Sequence, residues 1–255
     1  MQMLRRTRVT FSLLTIAALL SACSDSTGTN QTDLGPALAF GNGTAQAYVL
    51  SSPAGAPLEI GVVFSESALV GLPTSGTGVE LQLPAQASVA PFNHATLDWH
   101  PAGHPPAGVF NVPHLDVHFY TITPAARAAI SPASTDFATK AARTPSAEFV
   151  PTGYVKDAVA IPRMGNHWTD RTTPEFNGQP FTRTFIYGSW DGTFTFYEPM
   201  FTKAFLDGKP PVTAVPLKIA SQYAAPGSYP TSYKVGFDAS ARQYVIAISG
   251  LVPRP

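Results

Sequence analysis

Proline occupies 25 of the 255 positions, all from residue 36 onward, and that density leaves little room for an ordinary long helix. Inside a helix, proline removes a backbone donor and clashes with the preceding turn, at a cost of about 3 kcal/mol. Charged residues, which populate the exposed faces of surface helices, make up only 13% of the chain. Strand-like runs fill the space between turn residues, at 46–50, 58–64, 79–83, 95–99, 114–122, 183–187, 193–197, 215–220, 233–237 and 244–248. The last two join across 238–243 as a hairpin, and Asp191-Gly192 marks another hairpin turn. Helix is expected only in short pieces, at 124–130 behind a Thr123 cap and at 202–206. The expected fold is all-β, a mostly antiparallel sandwich or a cupin-like barrel with a few short helices. Residues 36–255 read as a single β-rich domain.

Ahead of that domain, Arg5, Arg6 and Arg8 precede an apolar run at 9–20, and Leu20-Ser21-Ala22-Cys23 follows. This order of basic, apolar and small residues reads as a secretory signal over 1–22. It resembles a bacterial lipoprotein signal, which implies that Cys23 is lipidated and holds the protein to a membrane. Ser24 follows the cysteine where an Asp would resemble an inner-membrane retention signal, which points to the outer membrane, facing the periplasm. Residues 23–35 are polar and small, as expected of a flexible tether. Cys23 is the one cysteine in the chain, so the mature domain has neither a disulfide nor a thiolate for zinc.

Five of the six histidines lie within 94–118. From His114 to Tyr120 polar and apolar residues alternate, so a strand puts His114, Asp116, His118 and Tyr120 on one face and Leu115, Val117 and Phe119 on the other. The first face carries side chains that bind metals and move protons. Strand geometry spaces positions two apart by roughly 6.6 Å and positions four apart by roughly 13 Å. One ion therefore most simply takes His114 with Asp116, or Asp116 with His118, and draws its other ligands from elsewhere. Alternatively both histidines bind while Asp116 orients one of them. A hydrogen-bonded His/Asp ladder and acid/base catalysis without metal are the competing readings.

Downstream, His167 follows Met164-Gly165-Asn166, and Glu198 sits between Tyr197 and Pro199. A carboxylate in so apolar a segment needs a cation or strong donors, an ion pair with Arg or Lys being the other option. Met164 and Met200, each beside a candidate ligand, bring copper into consideration behind zinc. Iron and manganese also suit nitrogen and oxygen ligands.

Taken together, Trp99, Gly103-His104, Pro106, Gly108-Val109-Phe110, Pro113-His114, Asp116, His118-Phe119-Tyr120, Met164-Gly165, His167-Trp168, Tyr187-Gly188, Asp191-Gly192 and Glu198-Pro199-Met200 resemble an uncharacterised family of bacterial exported proteins. The resemblance implies that His104, His114, Asp116, His118, His167 and Glu198 form one set. A second resemblance is to cupin metal sites, in which a Gly precedes His-x-His by six positions and a Pro precedes a later His by five. Gly108 and His114, and Pro162 and His167, keep those spacings, but Asp116 replaces the second histidine and Tyr120 stands near the place of the glutamate.

Removing the signal arginines leaves 13 basic residues against 16 acidic ones with no basic patch, so nucleic-acid binding has no electrostatic support. Walker, Rossmann, Gly-x-Ser-x-Gly and His-Glu-x-x-His motifs are absent from the sequence. The sequence favours an envelope lipoprotein holding about one transition metal, for carriage or sensing. A metalloenzyme and a metal-free structural or adhesion module are the alternatives. The oligomeric state, and whether the domain is an enzyme, cannot be read from the residues.

Overall fold

The computed structural model describes residues 28–87 and 89–255, so the expected signal over 1–22 and Cys23 lie outside the described residues. In chain order, β1 (Gln31–Leu34), β2 (Leu38–Phe40), β3 (Gly43–Ser51) and β4 (Pro57–Ser65) begin one sheet. A second sheet comprises β5 (Thr77–Gln82), β6 (His94–His100), β7 (His114–Tyr120), β8 (Tyr154–Ile161), β9 (Gly165–Asp170), β10 (Arg183–Trp190) and β11 (Thr193–Thr202). Then come β12 (Thr213–Pro216), β13 (Gly227–Tyr229), β14 (Ser232–Asp238), β15 (Gln243–Ser249) and β16 (Val252–Arg254). Of these, β12, β14 and β15 complete the first sheet, and β13 pairs with β16.

The first sheet runs β1-β3-β4-β15-β14-β12 with β2 beside β3, and the second runs β5-β6-β7-β11-β10-β9-β8. All of these strand pairs are antiparallel. The second sheet ends in two separate edges, β5 and β8, so the cupin-like closed barrel expected as one option is replaced by open, sandwich-like sheets. Gly108, which keeps the cupin spacing, lies in a turn of the 101–113 loop with φ +81° rather than on a barrel strand.

Between the sheets lies a continuous apolar layer. Val49, Ile60, Val62, Ile246 and Ile248 of the first sheet pack with Leu97, Leu115, Val117, Phe119 and Phe201 of the second. Burying such side chains is worth about 1.5–3 kcal/mol each, and their period-two placement fixes the register of each strand. The opposite face of the second sheet is also covered. There Phe110 of the 101–113 loop and Phe181 pack on Ile186 and Met200. Consequently β7 is buried along its whole length, on both faces.

Hairpins and short helices fall close to where turn chemistry puts them. Asp191 and Gly192 turn β10 into β11 with φ +52° and +81°, and β14 meets β15 at Asp238 and Gln243. Helices α1 (Pro124–Ala128), α2 (Phe137–Ala142) and α3 (Lys203–Asp207) are single short pieces. Thr123 caps α1 by accepting from the Ala126 amide, and Thr202 caps α3 by accepting from Phe205. Two expectations are corrected. Residues 31–34, assigned to the tether, form β1, whose exposed polar side chains suit an edge strand held by backbone pairing to β3. The run at 215–220 is strand only to Pro216, since proline supplies no donor to extend the ladder.

Candidate metal centres

Strand β7 carries the site because it is an interior strand with ligand-bearing neighbours on both sides. Its outer-facing residues meet those of β6 in register, His118 opposite Thr96, Asp116 opposite Asp98 and His114 opposite His100. On the other side β11 brings Met200 opposite Asp116, and Glu198 shares the outer face by the same alternation. Strand β9 delivers His167 across Gly188 of β10. At Gly188 a β-carbon would lie 1.8 Å from the Phe196 ring, so only glycine lets that ring lie flat over the strand. His104 comes from the 101–113 loop, which closes through a hydrogen bond from the His104 amide to the Phe110 carbonyl (3.2 Å). Gly103, at φ +68°, makes that closure possible, since a β-carbon there would sit 2.0 Å from the same carbonyl oxygen.

Two groups of side chains result, rather than the single set that the sequence implied. The outer group surrounds Asp116. Its Oδ2 lies 3.1 Å from His100 Nε2 and 3.2 Å from His104 Nε2, and its Oδ1 lies 3.3 Å from His114 Nε2. His104 Nδ1 donates to the Pro105 carbonyl and His114 Nδ1 donates to the Val112 carbonyl, each at 2.8 Å. A carbonyl can only accept, so Nδ1 carries a proton in both rings and Nε2 is the atom each turns to the carboxylate, where His104 Nε2 is within hydrogen-bond distance of Oδ2 at 3.2 Å. His114 Nε2, His100 Nε2 and Asp116 Oδ1 are buried without hydrogen bonds despite their closeness. Imidazole nitrogens converging on one buried carboxylate are a donor set that could hold a cation, and protonation of an imidazole is the other way to satisfy the contact.

The inner group consists of His118, His167 and Glu198. Glu198 Oε1 lies 3.3 Å from His118 Nε2, and Oε2 lies 3.7 Å from His167 Nε2. Asp98, which accepts the Thr96 hydroxyl at 2.7 Å, lies 3.2 Å from His118 Nδ1 and so turns the other ring nitrogen toward Glu198. His118 Nε2 and Glu198 Oε2 are buried and unpaired. Phe196 packs edge-on against both imidazoles, with ring centroids 5.0 Å from His118 and 5.2 Å from His167. The Arg or Lys partner considered for Glu198 is not what faces it; two imidazoles are.

The electrostatics differ between the groups. Burial would raise the Asp116 carboxyl, but its contacts with His100, His104 and His114 outweigh that and hold it well below the usual range. Burial opposes the charged form of His104, yet Asp116 wins and raises it. Glu198 goes the other way, pushed well up by burial and then by the charges of Asp116, Asp98 and Asp157. Burial and the nearby imidazoles of His118 and His104 lower His167 to about 3. Burial thus favours the neutral forms of Glu198 and His167, and a divalent ion bound between them would compensate the charge of the carboxylate.

His100 was not singled out in the sequence, although the alternation His94, Thr96, Asp98, His100 along β6 carries the same signal as β7. His94 stands apart, stacked on Tyr120 at 4.8 Å with Glu80 4.0 Å away. Met200 fills space with Phe110, Phe181 and Ile186.

The family model described as TTHB210-like, Hypothetical protein TTHB210, matches residues 52–99. That segment runs from β4 to the penultimate residue of β6, so it covers scaffold and stops short of both ligand groups. The chain is thus similar in part to a family of hypothetical proteins, and the motifs from Gly103 to Met200 lie outside the match. No curated protein and no solved structure matches the chain.

Proposed function

We propose that this chain is a metal-binding lipoprotein of the bacterial cell envelope, lipidated at Cys23 and held at the outer membrane on the periplasmic side. Its role is to carry or sense a transition metal, most simply zinc. The convergence of imidazole Nε2 atoms on Asp116 and Glu198, with the Nδ1 protons of His104 and His114 tied to carbonyls, carries this reading. Two imidazole nitrogens and one carboxylate oxygen, from His100, His104 and Asp116, converge at the outer group, with His114 on the other carboxylate oxygen, and such nitrogen and oxygen donors suit zinc without a thiolate. The outer group is also the accessible one, with His100 and His104 30% and 29% exposed, against 1% for His118 and Glu198. An ion at the outer group can therefore exchange without unfolding the sheet.

A metalloenzyme is the second reading, because two histidines and a glutamate leave a coordination position open, as catalytic zinc sites do. The burial of His118 and Glu198 argues against substrate access and favours carriage. Elemental analysis of the purified protein tests the main reading. Up to two zinc ions per chain are expected, one lost in His114→Ala and the other in His167→Ala. Protein isolated without chelator that is metal-free, and whose melting temperature ignores added zinc, would refute it.

A further inference from the structure

Away from both metal groups, a cleft of about 430 Å³ opens beside the β10–β11 hairpin and the 220–229 segment. Its walls are aromatic, formed by Tyr187, Trp190, Phe194, Tyr197, Tyr223 and Tyr229. Clefts of this size and lining are the usual form of small-molecule sites, which span about 300–1,000 Å³. We infer that this cleft binds an uncharged aromatic molecule bearing a carbonyl or ether oxygen, held by the Tyr197 hydroxyl. The inference stands independently of the metal.

Charge sets the class of ligand. Asp191 is the one charged side chain along the lining, and its carboxylate is already engaged by Arg143 at 2.6 Å. An anion would meet no cation on the lining, since Arg254 lies against the Tyr223 ring, 5.6 Å from its centroid, and is engaged by that tyrosine. A cation would meet a carboxylate that is already neutralised. Desolvating either against aromatic walls costs more than it returns.

The hydroxyls set the polar anchor. Tyr187 donates to the Lys218 carbonyl at 2.9 Å and Tyr229 donates to the Ala225 carbonyl at 2.8 Å, which fixes both rings. The Tyr197 hydroxyl has no such partner among the described residues, although its side chain is only 5% exposed and lines the cleft. Its ring is wedged between Tyr187 at 5.1 Å and Phe92 at 5.2 Å, so it cannot swing out to find one. Burial also pushes the phenol well up, so it stays protonated and acts as a donor. The hydroxyl is open to the cleft rather than sealed in the core, so a ligand oxygen can accept from it in place of solvent.

Acetophenone, benzoate, benzyltrimethylammonium and toluene, titrated into the purified protein and followed by ligand-observed NMR and tryptophan fluorescence, test this. Acetophenone should bind saturably, at least tenfold tighter than benzoate or benzyltrimethylammonium. Tyr197→Phe should weaken acetophenone roughly tenfold, the worth of one hydrogen bond, and leave toluene unchanged. Ala224→Trp, an exposed lining position, should abolish acetophenone binding with the melting temperature and metal content retained. Absence of saturable acetophenone binding, binding undiminished in Ala224→Trp, or preference for either ion would overturn the inference. Equal loss of acetophenone and toluene in Tyr197→Phe would overturn the role of the hydroxyl.

Discussion

If His118 and Glu198 hold one ion, their contributions to metal affinity cannot be independent. The Glu198 carboxylate stands 3.3 Å from His118 Nε2 and each supplies one of three protein ligands, so removing either leaves the other with little to hold. Residues in direct contact couple by about 0.5–3 kcal/mol, which is roughly twofold to 150-fold in affinity. His114 serves as the control, because it belongs to the other group and sits four residues away, roughly 13 Å along the same strand. Loss of the outer ion in His114→Ala reaches Glu198 only at long range, through the charge of Asp116, rather than through a shared ligand position. His114→Ala and Glu198→Ala should therefore couple distinctly less than His118→Ala and Glu198→Ala, approaching additivity within about 0.3–0.5 kcal/mol. Zinc competition against a chromophoric chelator, run on the two double-mutant cycles at one pH, measures both numbers. Additivity of His118→Ala with Glu198→Ala, or equal coupling in the two cycles, would refute the division into two centres.

Other outcomes follow from the same geometry. Leu115→Ala opens a cavity on the inter-sheet face of β7, and chemical denaturation should record a loss of about 2–5 kcal/mol while zinc content is kept. Cys23→Ala should abolish incorporation of labelled lipid and release the protein from the membrane fraction, with the circular dichroism of the folded domain unchanged. Burial lowers His94 from 6.5 to about 4, so the unfolded chain takes up its proton first as the pH falls. Stability linked to His94 is therefore complete above about pH 6.5 and declines towards pH 4. Melting temperatures of His94→Gln should lose part of that decline, and an unaltered slope would remove His94 from the account.

Sheet class and the candidate ligand face of β7 were legible in the sequence because both follow from period two. The alternation from His114 to Tyr120 gives the strand, its core face and its ligand face at once. Strands β8 and β9 were missed because 154–161 mixes Lys156 and Asp157 with small residues, and β9 carries one strongly apolar side chain, Trp168, among Asn166, His167 and Thr169. Their place in the sheet comes from tertiary pairing, β9 with β10 and β8 with β9. Division of the ligands into two groups was also out of reach, because it depends on register between paired strands, which for His118, His167 and Glu198 lie far apart in the chain. Even between the consecutive strands β6 and β7, His100 joins Asp116 only because residue 100 opposes residue 114. No spacing within either strand states that offset.

The inner group draws on β7, β9 and β11, which meet only in the finished sheet, whereas the outer group lies within the single β6–loop–β7 hairpin. An ion at the inner group would therefore be selected only after the strands have zipped together, while the hairpin alone already gathers His100, His104 and Asp116. On the proposed reading, the ions that surround the protein where it folds, rather than where it is made, would decide the content of the inner group.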